Sequence, residues 1–213
     1  MVTVGGISVD EKTMQASREM VNRGRKEFLF TDCEGFLNTH IRRAQMSGAQ
    51  VCVNIRSATL SGYLKAAEII TDLGAVVEIN AHCRQKEMME RGAGQYLLYD
   101  LPSLKRIITL LQDVGIPALL KCRGNVISER ELLERVHPDG VHIDAYREGE
   151  KGFDFTVFEN IVDFNCFKIG NNSINTPEIA RKVLRLCDAF SFAQIAWNHE
   201  VVCSLVKLIG ESI

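Results

Sequence analysis

The sequence predicts an α/β protein whose parallel strands alternate with amphipathic helices and close toward a TIM (β/α)8-type barrel. Three observations predict it. Short apolar runs rich in β-branched residues recur at 50–55, 75–79, 118–122, 141–144, 166–169 and 189–193, with helical patterns between them, so right-handed parallel crossovers are the natural connection. Glycines stop several of those helical patterns, at Gly24, Gly48, Gly74 and Gly115. A polar residue repeatedly closes an apolar strand (Asn54, Asn80, Lys121, His142, Gly170-Asn171), as expected where strand tips converge on one mouth. A doubly wound open sheet fits the alternation as well; the polar tips favour the barrel. The count is about seven βα units, and the chain begins at what reads as the second strand, so a barrel lacking the first strand is expected.

In chain order, Val2-Thr3-Val4 is a short strand and Gly5-Gly6 a turn, after which Ser8 or Asp10 caps a helix through about Arg23. Glu34 to Ser47 is helical, Gln50 to Ile55 a strand, and Ser61 to Leu73 a helix with Leu64, Ala67, Glu68 and Thr71 at helical spacing. The strand opening at Ala75 follows. Asp100-Leu101-Pro102-Ser103 caps a helix whose face is Leu104, Ile107, Ile108 and Leu111. Ser128 with Glu131 has the form of a capping box, and His137-Pro138-Asp139-Gly140 ends that helix before the strand Val141 to Asp144. Phe158 to Val162 reads as helical, Cys166 to Ile169 as a strand, Thr176-Pro177-Glu178 as a helix start, Ala189 to Ala193 as a strand, and a last helix begins near His199. Arg25 to Phe30 fits no element.

Composition narrows the function classes. With 213 residues, 46% hydrophobic and 24% charged, one soluble domain over 1–213 is the default. A formal charge of -2 gives no general electrostatic reason to expect nucleic acid. The seven cysteines are scattered without a C-x-x-C pair, which suits reduced thiols in a cytoplasmic protein and no metal site. No apolar run reaches membrane length and no signal-peptide core precedes Asp10. The segment from Ala75 to Leu98 is the chemical centre: a buried strand emptying into Asn80-Ala81-His82-Cys83-Arg84. A thiol, an imidazole, an amide and a guanidinium just past a strand tip are where such a barrel keeps its chemistry. The plain alternatives are a structural thiol at Cys83, a core histidine at His142, a turn pair at Asn171-Asn172 and solvated basic faces at Arg23-Gly24-Arg25-Lys26 and Arg42-Arg43.

These residues resemble the flavin-dependent dihydrouridine synthase family, and more closely its short archaeal relatives, which are distantly similar to dihydroorotate dehydrogenases. The family's N-x-G-C-P segment with its glycine and leucine pairs resembles Asn80 to Arg84 with Gly92-Ala93-Gly94 and Leu97-Leu98. Its K-x-R is present as Lys121-Cys122-Arg123, its V-H as Val141-His142, its G-x-x-D-W as Gly152 to Phe155, and its N-G-D-I as Asn171-Asn172-Ser173-Ile174. The resemblance implies an oxidoreductase that passes hydride from FMN to a uracil-type double bond, with NADPH or NADH as reductant and tRNA or a small pyrimidine-like molecule as substrate. It implies Cys83 as the proton donor, a role served by a thiol of pKa about 8.5 that is mostly protonated at neutral pH. Asn80, Lys121, His142, Gly170, Asn171 and Asn172 are the implied cofactor contacts, and His82, Arg84 and Arg123 the substrate contacts.

Departures from the pattern are equally legible. Arg84 replaces the proline and His82 the glycine beside the cysteine, while Phe192-Ala193-Gln194-Ile195 stands where a phosphate-binding G-R pair is usual. The segment under the flavin and the C-terminal RNA-binding helical domain have no counterpart. A degenerate barrel that binds or scaffolds without flavin, and a flavin reductase of a small free substrate, are therefore the alternatives. An unclosed barrel exposes strand edges, which a second copy or the N-terminal segment would cover.

Overall fold

The computed structural model describes residues 1–210, with side chains through 207. Seven strands, β1 (Val2–Ser8), β2 (Val51–Arg56), β3 (Val76–Ala81), β4 (Ala118–Arg123), β5 (Gly140–Asp144), β6 (Phe167–Asn171) and β7 (Ala189–Ser191), form one sheet in sequence order. Every neighbouring pair is parallel. The fold is thus an α/β barrel-type sheet of seven βα units, as the alternation predicts. β1 and β7 are its edges among the described residues. No described helix is long and apolar enough to cross a membrane.

Helices α1 (Glu11–Asn22), α2 (Cys33–Gln45), α3 (Leu60–Asp72), α5 (Leu101–Asp113), α6 (Glu129–Val136), α8 (Pro177–Val183) and α9 (His199–Gly210) are joined by two single-turn helices, α4 (Lys86–Met89) and α7 (Thr156–Glu159). Their starts are set by side-chain caps: Asp10, Asp32, Thr59, Asp100, Ser128 and Thr176 each accept a backbone N–H of the first turn. The α5 face reads as expected, with Leu104, Ile107, Ile108 and Leu111 all buried. Burying each such side chain contributes roughly 1.5–3 kcal/mol.

Several expectations shift. β1 continues past Gly5-Gly6 to Ser8 with a one-residue register shift between Gly5 and Ile7, after which it pairs with β2 again at Ile55 and Arg56. The buried face of α3 is Tyr63, Ala66, Ala67 and Ile70, one residue N-terminal to the predicted stripe, whose polar members Glu68 and Thr71 are exposed. The capping box at Ser128 is half formed: Ser128 Oγ accepts from Glu131 N, but the Glu131 carboxylate turns to Arg135. The helix expected over Phe158 to Val162 is the earlier turn α7. α4 and a 3-10 turn over Gly94–Leu98 occupy what reads as loop.

The sheet is curved. His142 on β5 touches Glu78 on β3 and Ser191 on β7, each at 2.6 Å. Strands two places apart in a flat sheet lie about 10 Å from one another, so these contacts require a concave face. Cys52, Leu119 and Ile169, joined by Val76 and Ala189, fill the lower part of that concavity. Two residues further along the same strands the inward positions turn polar: Asn54, Glu78, Lys121, His142 and Ser191, then Arg56, Asn80, Arg123 and Asp144.

Candidate functional site at the strand tips

The polar tips open into a cleft of about 690 Å³ lined from β1 to β6, including Arg25, Lys26, Glu27, Phe28, Arg56, Asn80, His82, Cys83, Arg84, Arg123, Asp144, Tyr146 and Asn172. Of the sequence-predicted site residues, Asn80, His82, Cys83, Arg84, Arg123 and Asn172 meet there. Asn171 and Asn172 also line a smaller neighbouring pocket with Ser191 and Gln194. Gly170 has a packing role: a Cβ there would stand 2.7 Å from Val183 and 3.1 Å from Phe153. His142 is 2% exposed and lies beneath the mouth. Lys121 sits between Asn80 and His142 in register.

The Cys83 loop is held from two sides. Asn80 Oδ1 accepts the backbone N–H groups of His82 and Cys83, at 3.0 and 2.8 Å, which folds the chain back over the β3 tip. On the other side Gln95 N donates to Cys83 O at 2.8 Å. Gly94 makes this approach possible, because at φ 63° a Cβ would come within 2.3 Å of Cys83 O. Cys83 Sγ is half-buried and faces Arg56 Nη1 at 3.7 Å. Cys52 and Cys122 are inert by comparison, since burial pushes both thiols far up from their ordinary range.

Charge in the cleft is lopsided. Five cationic side chains (Arg25, Lys26, Arg56, Arg84, Arg123) face two carboxylates, Glu27 and Asp144, in a chain whose formal charge is -2. Both carboxylates are engaged. Glu27 pairs with Arg56 at 2.7 Å, with the two side chains 8% and 4% exposed. Asp144 accepts from His82 Nε2 at 2.9 Å and from Asn172 Nδ2 at 2.7 Å; burial pushes its carboxyl up, but those bonds and the Arg123 charge outweigh it and hold it below the usual range. Arg123 lies over the Tyr146 ring at 5.1 Å, which fixes its guanidinium plane. Arg56, Glu27, Asp144, Tyr146 and Phe28 were not singled out by sequence reasoning. The period-two polar residues of β2 and β5 could have exposed Arg56 and Asp144; nothing local marks Glu27.

Beneath the mouth, Glu78 is fully buried. It accepts from Asn54 Nδ2 at 2.7 Å and from His142 Nδ1 at 2.6 Å. Burial alone would raise its carboxyl; the His142 bond and charge, the Lys121 charge and the Asn54 bond hold it below the ordinary carboxylate range. Among the described residues no cluster of three or more His, Cys, Asp or Glu is arranged to hold a metal ion.

No family model matches the chain. It is 33% identical over 203 residues to the uncharacterized protein MJ0144 of Methanocaldococcus jannaschii, covering 91% of this chain and 79% of that one. Among solved structures, a 3-hexulose-6-phosphate synthase superposes with a TM-score of 0.55 at 11% identity, over 98% of this chain and 97% of that one. That likeness shows the barrel fold alone. An N-acetylmannosamine-6-phosphate 2-epimerase from Clostridium perfringens, at 15% identity over 71% of this chain and 75% of that one, gives a TM-score of 0.44 and carries no argument.

Proposed function

The chain belongs to the family of the Methanocaldococcus jannaschii protein MJ0144, and we propose that it is a barrel enzyme acting on a small anionic, pyrimidine-like substrate at the strand tips, with Cys83 moving a proton at a ring carbon beside a carbonyl. The observation that carries this reading is the joining of a half-buried, backbone-clamped thiol to a cleft with five cations and two carboxylates, both already paired. Unpaired cations in a walled cleft concentrate anions. Arg84 and Arg123 supply planar donors suited to carboxylate or phosphate, and Phe28 and Tyr146 offer aromatic faces to a flat ring. The test is deuterium uptake at C5 of dihydrouridine monophosphate in D2O, followed by NMR. Wild type is expected to exchange that proton; Cys83→Ala should bind the ligand and not exchange it. Exchange that survives in the variant rejects the role of Cys83.

FMN-dependent reduction of a uracil-type bond is the second reading, favoured by the convergence of Asn80, Cys83 and Arg123 on one cleft with Lys121 beside it. The fit of FMN is incomplete. The pocket between the β6 and β7 tips, lined by Asn171 to Asn175 and Ser191 to Ile195, contains no cationic side chain to meet a phosphate, and both ring nitrogens of His142 are bonded inside the protein. No step is assigned to flavin on this basis. Titration with FMN separates the readings: saturable binding with flavin bands would favour reduction, and no binding would leave proton transfer alone. tRNA as substrate and a second copy covering the β1 or β7 edge belong to the same second reading.

A further inference from the structure

Below Cys83, a single file of hydrogen bonds crosses the concave face. Ser191 Oγ meets His142 Nε2 (2.6 Å), His142 Nδ1 meets Glu78 Oε2 (2.6 Å), Glu78 Oε1 meets Asn54 Nδ2 (2.7 Å) and Asn54 Oδ1 meets Asn80 Nδ2 (2.6 Å). Asn80 Oδ1 then takes the His82 and Cys83 amides. The polarity of the arm between the Cys83 loop and Glu78 is set at both of its ends. Two backbone N–H groups can only donate, so the Asn80 atom facing them is its oxygen, and its nitrogen faces Asn54. The Asn54 atom there must accept, so the Asn54 nitrogen faces Glu78, whose carboxylate accepts. On the other arm His142 donates to Glu78 through Nδ1, and its Nε2 bonds the Ser191 hydroxyl, which can donate or accept. From Asn80 through Asn54 every donor points toward Glu78, and His142 Nδ1 donates to it from the other side.

We infer that Glu78 is a positioning residue: its buried charge sets the orientation of Asn54 and Asn80 and thereby holds the Cys83 loop in its working geometry. Asn54, Glu78 and Asn80 are all buried, so an amide pointing the wrong way would leave polar groups poorly paired. Without a carboxylate at the end of the file, the orientation that serves the two backbone N–H groups is no longer matched by an obligate acceptor beyond Asn54. A glutamine in place of Glu78 presents a donor as readily as an acceptor, and a reversed Asn80 would aim its NH2 at two backbone N–H groups. The consequence for chemistry rests on the reading that Cys83 is the reacting group; the consequence for the loop does not.

The experiment is amide hydrogen exchange of His82 and Cys83 by NMR, with no ligand present. In wild type both amides are expected to be protected. Glu78→Gln, nearly isosteric, should raise their exchange about tenfold while amides inside α5 keep their wild-type rates. The double change Glu78→Gln/Asn54→Asp moves the carboxylate one place along the file, where it accepts from Asn80 on one side and from the introduced glutamine amide on the other, and should restore protection to within about threefold of wild type. A purely space-filling role for Glu78 predicts no change in the single variant and no rescue in the double, and either result overturns the inference. Should Glu78→Gln fail to fold, Asn54→Ala, which leaves the Glu78–His142 pair in place and cuts the file, is expected to expose the same two amides; protection that survives there overturns it, as do unprotected amides in wild type. Failure of the substrate reading would leave all these outcomes unaffected.

Discussion

Removing Glu27 should destabilise the protein and make it responsive to anions. Glu27 Oε2 and Arg56 Nη2 stand 2.7 Å apart with almost no solvent access. At an effective dielectric of about 20 their gross attraction is about 6 kcal/mol, much of it offset by desolvation, but losing one partner strands a buried charge at a cost of about 3–5 kcal/mol. The stranded group is Arg56, whose Nε already lacks a partner and whose remaining acceptors are Gly6 O and the weak acceptor Cys83 Sγ at 3.7 Å. For a chain of this length, about 3 kcal/mol corresponds to a Tm drop of about 6–12 °C. Glu27→Ala is therefore expected to melt lower by about that amount in chloride buffer. Because Arg56 faces the cleft, phosphate at about 100 times its Kd should return about 2.7 kcal/mol, and more of the loss in the variant than wild type gains. Adding Arg56→Met to Glu27→Ala should recover stability without phosphate, since no charge is then buried alone. A single variant melting within about 1 °C of wild type, or one that phosphate lifts no more than wild type, would show that the pair does not carry this energy.

Three further outcomes follow from the same geometry. Gly94→Ala should cost at least about 2 kcal/mol more than Gly92→Ala in urea unfolding: both glycines have positive φ, but only at Gly94 would the new Cβ collide with Cys83 O, at 2.3 Å against 3.8 Å to the nearest atom at Gly92. Asp10 binds Thr13 N, Ala58 N, Ser57 Oγ and Thr59 Oγ1; burial raises its carboxyl, and these bonds together hold it below the ordinary range. A depressed native pKa gives stability that is present above the unfolded value of about 3.9 and lost as pH falls through the native one, so the Tm gap between wild type and Asp10→Asn should be constant from about pH 7 to about 5 and shrink below about 4. Iodoacetamide followed by peptide mass spectrometry should label Cys83 and spare Cys52 and Cys122, whose thiols burial holds protonated; equal labelling of all three would contradict the placement of Cys83.

The alternation of apolar runs with capped, glycine-stopped helices made the parallel sheet legible, because each βα unit writes its period and its stop into a short run of consecutive residues. The mouth was half legible. Asn80 announces itself as a polar residue ending an apolar strand, Cys83 as a thiol in the loop just past it, and Arg123 through the K-x-R resemblance, but Glu78 sits two places before Asn80, inside Val77 to Ile79, and reads as a break in the run. Its partners come from β2 and β5, 24 and 64 residues away, and no local pattern encodes that meeting. Glu27 was invisible for the same reason. It belongs to the stretch from Arg25 to Phe30 that has no period, and only the fold places it against Arg56 at the end of β2. His142 was legible as a strand-tip histidine, yet its bonding to Glu78 and Ser191 depends on the curvature of the sheet, which sequence periodicity does not specify.

If the strand-tip cleft is an anion site built around Cys83, it must tell a nucleotide from its uncharged nucleoside. Calorimetric titration with uridine monophosphate and with uridine, in low-salt buffer, measures that difference. The nucleotide is expected to bind at the cleft and the nucleoside at least tenfold more weakly, with the Arg84→Ala/Arg123→Ala variant losing at least tenfold in nucleotide affinity while Cys83→Ala retains it. Equal affinity for the two ligands, or nucleotide binding that survives loss of both arginines unchanged, would contradict an anion site here.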